Sequence, residues 1–237
     1  MRDALKCVLN RVREVVQRID APLVALTVMV CADDAVDRRV AQVHVRAGHV
    51  DLGAERLGAV GELAVAHILE QPELVDQLIV LTDEQWQDLQ QEGFPAARMA
   101  VIPNHLDNGA IPANPQKTPS QTVIYLARYS EEKQHALLLS AFRQVVKAIP
   151  DAQLHTYGVG PLRRSLSAQV AEWGLEQAIH INGFTSDIAQ AHKTACCTVL
   201  CSTQEGQSIS AVEAMAYGTP LISFAIKYGP RDILQGR

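Results

Sequence analysis

Glu205-Gly206-Gln207-Ser208-Ile209-Ser210-Ala211-Val212-Glu213-Ala214-Met215-Ala216-Tyr217-Gly218-Thr219-Pro220 reads as a glycine-containing loop entering a helix. The apolar run Thr194 to Cys201 before it and Leu221 to Phe224 after it read as strands. Two strands joined through a helix must lie parallel, because only a crossover connection brings the chain back to the same sheet edge. One unit of an α/β sheet is thus already specified. Glu205 stands on its loop and Glu213 in the first turn of its helix. The free N–H groups of a helix start donate to a phosphate, and carboxylates beside it accept hydrogen bonds from sugar or ribose hydroxyls. The pair therefore suggests a site for a sugar linked to a diphosphate. A structural reading also stands for Glu213: Ser210 as N-cap and Glu213 reaching back form a capping box, Gly218 ends the helix and Pro220 prevents its return. Glu205 belongs to no such cap.

Upstream, the same alternation repeats. Thr122 to Leu126 reads as a strand and Glu131 to Ile149 as a helix, with Leu138, Phe142, Val145 and Ile149 at helical spacing and Pro150 as its stop. Gln153 to Tyr157 is a strand, followed by the turn Gly158-Val159-Gly160-Pro161 and a helix to about Trp173. Ala178 to Ile181 is a strand, Ser186 to Ala191 a short helix, and a last helix lies near Arg231 to Leu234. This predicts a doubly wound parallel sheet. Before it, Pro103-Asn104-His105-Leu106-Asp107-Asn108-Gly109-Ala110-Ile111-Pro112-Ala113-Asn114-Pro115 reads as a linker. The expected division is a partial α/β domain over 1–105, a linker over 106–118 and a second domain over 119–237. In the first part, 3–18 and 55–69 read as helices. Pro22 to Cys31 reads as a buried parallel strand, and Val40 to Val45, Gln77 to Leu81 and Met99 to Ile102 read as further strands. Thr82 is placed to cap a helix with Asp83 and Glu84 in its first turn.

Composition narrows the function. The 237 residues are 48% hydrophobic and 20% charged, sufficient for a packed core. The formal net charge is −5 and no basic run is present, which argues against nucleic-acid binding. The five cysteines, Cys7, Cys31, Cys196, Cys197 and Cys201, include no Cys-x-x-Cys pair; buried free thiols in a reducing, cytoplasmic setting are expected. No apolar signal core opens the chain, and peripheral contact with the inner face of a membrane stays open.

Arg128 and Lys133 flank a turn directly after a strand, at the sheet edge where α/β proteins bind ligands. They can neutralise a diphosphate; equally, Ser130 can cap a solvated turn with Lys133 exposed. Gly158-x-Gly160 is half of a dinucleotide fingerprint without its third glycine, so a nicotinamide enzyme is poorly supported. His44 and His49 bracket Val45-Arg46-Ala47-Gly48 with no third metal ligand nearby. Asp33-Asp34 is adjacent, not spaced as a metal–diphosphate clamp, and Ser202 lacks the context of a hydrolase nucleophile.

Val101-Ile102-Pro103-Asn104, Ala127-Arg128-Tyr129-Ser130-Glu131-Glu132-Lys133, Gly158-Val159-Gly160-Pro161, Asn182-Gly183-Phe184, the two glutamates and Gly218-Thr219-Pro220-Leu221-Ile222-Ser223 together resemble retaining glycosyltransferases of family 4, with the GT-B fold. Leu81-Thr82-Asp83-Glu84-Gln85 and Tyr228-Gly229-Pro230-Arg231-Asp232-Ile233 are similar to a bacterial branch acting in teichoic acid synthesis and on serine-rich surface adhesins. The resemblance implies a hexosyl transfer with retention from a nucleotide-diphosphate sugar, UDP-glucose or UDP-N-acetylglucosamine, without metal or other cofactor. The acceptor would be a glycan, a polyol phosphate or a protein. Arg128, Lys133 and Glu205 would serve the chemistry. Gly158, Gly183, Phe184, Thr185, Gly206, Gln207, Ser208, Ile209, Ser210 and Glu213 would bind the donor, and His44 or His49 would line the acceptor side. Members of this family have a fuller first domain and continue past Arg237, so a fragment is expected. The competing expectation is a non-catalytic remnant, or a subunit pairing with another copy or with a related transferase.

Overall fold

The computed structural model describes residues 27–29, 78–106, 118 and 120–235. The described residues fall into two units, one of residues 78–105 and one of residues 27–29 with the chain from 106 onward. Expectations on 3–18, 40–45 and 55–69, on His44 and His49, on Cys7 and Cys31, and on most of the linker lie outside the described residues.

In the larger unit, β1 is Thr27–Met29. In the smaller unit, β2 (Leu78–Val80), α1 (Asp83–Gln91) and β3 (Met99–Val101) form a βαβ turn with its strands parallel. Thr82 caps α1 as expected: its hydroxyl accepts from Gln85 N at 3.1 Å while the Gln85 side chain accepts from Leu81 N at 2.8 Å. The two bonds satisfy orphan amides reciprocally, as in a capping box.

The larger unit continues with β4 (Thr122–Leu126), α2 (His135–Ala148), β5 (Gln153–Tyr157), α3 (Arg163–Glu172), β6 (Ile179–Ile181), α4 (Ile188–Thr194), β7 (Ala195–Leu200), α5 (Ile209–Ala216), β8 (Leu221–Ser223) and α6 (Pro230–Gln235). The sheet order is β1-β8-β7-β4-β5-β6, and β4 through β8 are all parallel. From β4 the chain winds outward through β5 to β6, then returns to β7 on the other side of β4. The winding reverses between β4 and β7, and in open α/β sheets such a reversal is where ligands bind outside the carboxyl ends of the strands.

Alternation along β4 builds the core. Val123 and Tyr125 join the main cluster with Leu139, Phe142, Leu154, Ile179 and Val199, while Ile124 faces the other side beside Ala191 and Ala195. On α2, Leu138, Leu139, Phe142 and Val145 are buried, the stripe that its apolar spacing predicts. α5 ends as its sequence predicts. Gly218 takes φ +60, its N–H reaches Met215 O, and Thr219 N reaches Ala214 O at 2.7 Å, a left-handed glycine cap.

Three expectations are corrected. First, Thr27–Met29 pairs with β8 antiparallel. A strand that joins a sheet edge from a distant part of the chain has no helical crossover to fix its direction. Second, the helix expected from Glu131 begins at His135. Glu131–Lys133 is a 3-10 turn, and Gln134 is left-handed at φ 52. The apolar stripe supports helix only from Leu138 onward, and the Lys133 carbonyl is taken by the Tyr125 hydroxyl at 2.7 Å. Third, Ser210 does not cap α5. The helix starts at Ile209 after Ser208, whose side chain makes no cap bond and instead meets the Ser210 hydroxyl at 3.0 Å.

Candidate functional site

The carboxyl ends of β4 and β7 carry the residues singled out by the sequence. After β4, the turn through Lys133 bends back because of left-handed Gln134. After β7, the loop from Ser202 to Ser208 leads into α5. The two loops are joined by Thr203 N donating to Glu132 O at 2.8 Å. Between them Lys133 Nζ donates to Glu205 Oε1 at 3.0 Å, with side chains only 16% and 11% exposed. Lys133 is therefore not a solvated turn residue. Glu205 Oε1 also accepts from Ser202 Oγ at 2.6 Å.

Arg128 is on the same loop but apart from this pair. It donates to Glu132 at 3.2 Å and its side chain is 57% exposed, so the bond is an i,i+4 surface pair. Ser130 Oγ donates to the same carboxylate oxygen at 2.5 Å. Glu132 thus anchors the loop, while the Arg128 guanidinium keeps access to solvent.

Glu213, on the first turns of α5, has no capping role. Burial pushes its carboxyl up to about 7, so it is held near half-ionisation at neutral pH. Gly206 is exposed, Gln207 and Ser210 half-buried, Ser208 buried, and Ile209 an exposed large apolar residue.

The loops after β5 and β6 complete the edge. Gly158 N donates to Gly183 O at 3.1 Å, and Tyr129 N to Val159 O at 2.9 Å. A Cβ on Gly158 would lie 2.0 Å from the Ala127 carbonyl oxygen, so only glycine lets these loops touch. The Tyr129 hydroxyl donates to Asn182 O at 2.7 Å, locking the turn before Gly183. Phe184 beyond it is 77% exposed, and Thr185 Oγ1 accepts from Asp187 N at 3.1 Å. Pro161 lies in the turn before α3, as the sequence predicts.

Sequence reasoning missed the layer beneath the site. Tyr125, Ser202 and His135 are buried there, and the His135 ring lies tilted between Tyr125 and Tyr129 with ring centroids 4.7 and 4.8 Å away. Neither ring nitrogen of His135 has a hydrogen-bond partner among the described residues. Burial, with the Lys133 charge beside it, pushes His135 down to about 4. Tyr125 lies inside a strand pattern, which gives no hint that its hydroxyl reaches the loop. Among the described residues no cluster of three or more His, Cys, Asp or Glu is placed to hold a metal. No helix among them is long and apolar enough to cross a membrane. Cys196, Cys197 and Cys201 form no disulfide among the described residues, and burial raises Cys201 to about 12.

The sequence profile of the glycosyl transferases group 1 family matches residues 109–236, the stretch that holds these loops. The chain belongs to this family. It is similar to the poly(ribitol-phosphate) alpha-N-acetylglucosaminyltransferase of Staphylococcus aureus, 27% identical over 71% of this chain and 34% of that protein. It is also similar to the GtfA subunit of a UDP-N-acetylglucosamine–peptide N-acetylglucosaminyltransferase of Streptococcus gordonii, 31% identical over 68% of this chain and 32% of that one. The chain thus spans about a third of the length of these relatives. Among solved structures, S. aureus TarM (a point mutant in complex with fondaparinux, alpha-GlcNAc-glycerol and UDP) is similar with a TM-score of 0.63 and 27% identity. That match covers 70% of this chain and 33% of TarM. The sheet is the α/β fold of GT-B transferases, as the sequence resemblance implies.

Proposed function

We propose that this family member binds a nucleotide-diphosphate sugar at the crevice between β4 and β7 and takes part in transferring its hexosyl unit to an acceptor hydroxyl with retention. The observation that carries the reading is the Lys133–Glu205 contact of 3.0 Å, a cation and a carboxylate from two strand ends meeting where the sheet's winding reverses. Lys133, with Arg128, neutralises the diphosphate as it leaves. Glu205 receives the hydroxyls of the donor sugar, and Glu213 those of the ribose. The backbone from Gly206 to Ser210 offers N–H groups at the start of α5, and Gly158, Gly183, exposed Phe184 and Thr185 border the base.

Breaking the sugar–phosphate bond builds negative charge on the diphosphate. Preorganised donors aimed at that charge lower the barrier, each by about 3 kcal/mol. In this reading two cations and a helix start supply the stabilisation, and no metal is required. UDP-glucose and UDP-N-acetylglucosamine are the proposed donors, and a teichoic acid polyol phosphate, a glycan or a surface protein the acceptor. UDP in the TarM structure and the reactions of the two relatives support the donor class. One relative is itself a subunit, which supports pairing with a second transferase chain. Calorimetric titration with UDP-glucose and UDP-N-acetylglucosamine, followed by transfer of a radiolabelled sugar, tests the reading. Saturable binding of one of them is expected. Absence of binding to both rejects it, and binding without transfer assigns the chain a donor-binding role alone.

A further inference from the structure

The Lys133–Glu205 pair is not isolated. Four groups close a ring across the two loops. Tyr125 OH meets Lys133 O at 2.7 Å and Ser202 Oγ at 3.3 Å; Ser202 Oγ meets Glu205 Oε1 at 2.6 Å; and Lys133 Nζ returns to the same Oε1 at 3.0 Å. Each hydroxyl has one proton to give. A carbonyl can only accept, so the Tyr125 proton goes to Lys133 O. A carboxylate likewise only accepts, so the Ser202 proton goes to Glu205. The longer Tyr125–Ser202 contact is left without a proton of its own and serves to pack the two hydroxyls. Burial raises the Tyr125 phenol well above its ordinary range, so it stays a donor at any working pH.

The consequence is directional. Both bonds to Glu205 fall on Oε1, and Oε2 takes none among the described residues. Without the Ser202 proton the carboxylate keeps only Lys133, a flexible point charge that fixes distance but not rotation. With it, two donors from different elements fix the plane of the carboxylate. Ser202 is itself buried next to Tyr125.

We propose that Ser202 is a positioning residue of the donor site: its hydroxyl fixes Glu205 through Oε1 so that Oε2 is presented to the hydroxyls of the donor's sugar. The proposal rests on the donor-site reading above. It separates the sugar from the nucleotide, because Ser202 acts only through Glu205. It also separates positioning from folding, since a merely structural serine would affect every ligand alike.

The test is calorimetry of the whole 237-residue chain with UDP and with UDP-glucose, using Ser202→Ala, Glu205→Gln and the double variant, each with a thermal melt. Ser202→Ala is expected to weaken UDP-glucose about tenfold, in line with losing a hydrogen bond to a charged group, and UDP less than about twofold. In the Glu205→Gln background the same substitution is expected to change UDP-glucose affinity less than about twofold, since its target carboxylate is gone. Equal losses for UDP and UDP-glucose, or an undiminished loss in the Glu205→Gln background, overturn the positioning role and leave the donor site standing. UDP-glucose affinity unchanged by Ser202→Ala also overturns it. A wild-type chain that binds neither ligand overturns the donor site and this proposal with it.

Discussion

Lys133 Nζ and Glu205 Oε1 lie 3.0 Å apart although 72 positions separate them in the chain. Two unrelated features bring them together. The sheet winds in opposite directions from β4, which makes their strands neighbours, and left-handed Gln134 turns the Lys133 loop back over the edge. A contact that needs both is poorly explained as a chance surface pair.

Lys133→Ala should therefore affect chemistry far more than folding. In a transfer assay with a competent acceptor, kcat is expected to fall about 10²- to 10³-fold, the loss typical of one preorganised donor on a leaving oxyanion. Far-UV circular dichroism should be unchanged. Transfer within about threefold of wild type would remove Lys133 from the proposed mechanism.

Two buried groups give stability opposite pH slopes. His135 is pushed down to about 4, so between that value and its ordinary 6.5 the unfolded chain binds the extra proton and stability rises with pH. Glu213 is pushed up to about 7 from 4.5, so the folded chain holds the extra proton and stability falls as pH rises through that window. Urea denaturation from pH 4.5 to 6.5 should show the rising slope steepened in Glu213→Gln and diminished in His135→Phe. Identical pH profiles in all three proteins would contradict both assignments.

The same carboxyl makes donor binding pH-dependent. If Glu213 accepts the ribose hydroxyls as a carboxylate, affinity for UDP-glucose should rise from pH 6 to 8 and level off once the group is ionised. Glu213→Gln should be weaker and flat across that range. A wild-type profile that is flat, or that falls with pH, would remove Glu213 from the ribose site.

Gly158→Ala places a methyl 2.0 Å from a backbone oxygen, and backbone cannot yield as a side chain does. A loss of about 1–3 kcal/mol in urea unfolding is expected, with weaker UDP binding because the Arg128 loop shifts. Phe184→Ala is the converse case. Its ring is already 77% exposed, so stability should change by less than about 0.5 kcal/mol while UDP affinity falls severalfold. A stability loss without a binding loss would make Phe184 structural.

Much of this was legible in the sequence. The strands and helices from Thr122 to Leu234 follow from apolar alternation interrupted by Gly and Pro, and the crossover rule makes strands β4 to β8 parallel. Lys133 and Glu205 were legible as candidates through their places on strand-end loops, and Glu213 through its place in the helix that follows. What was not legible depends on contacts between distant residues. The Tyr125 hydroxyl takes the Lys133 carbonyl and helps convert an expected helical turn into a 3-10 turn. Ser202, without a motif of its own, acts only through its neighbour. The edge strand Thr27–Met29 runs antiparallel because no local rule fixes its direction. A capping box for Glu213 fitted the spacing, yet the helix begins two residues earlier and leaves that carboxyl partly buried without a cap.

The most direct test is titration of UDP-glucose into the wild-type chain and into Lys133→Ala under identical conditions. The account predicts saturable one-to-one binding to the wild type and a loss of at least about tenfold in the variant, as expected when a charge-assisted contact to a diphosphate is removed. Equal affinity in the two proteins would place the diphosphate elsewhere and contradict the assignment of the β4–β7 crevice.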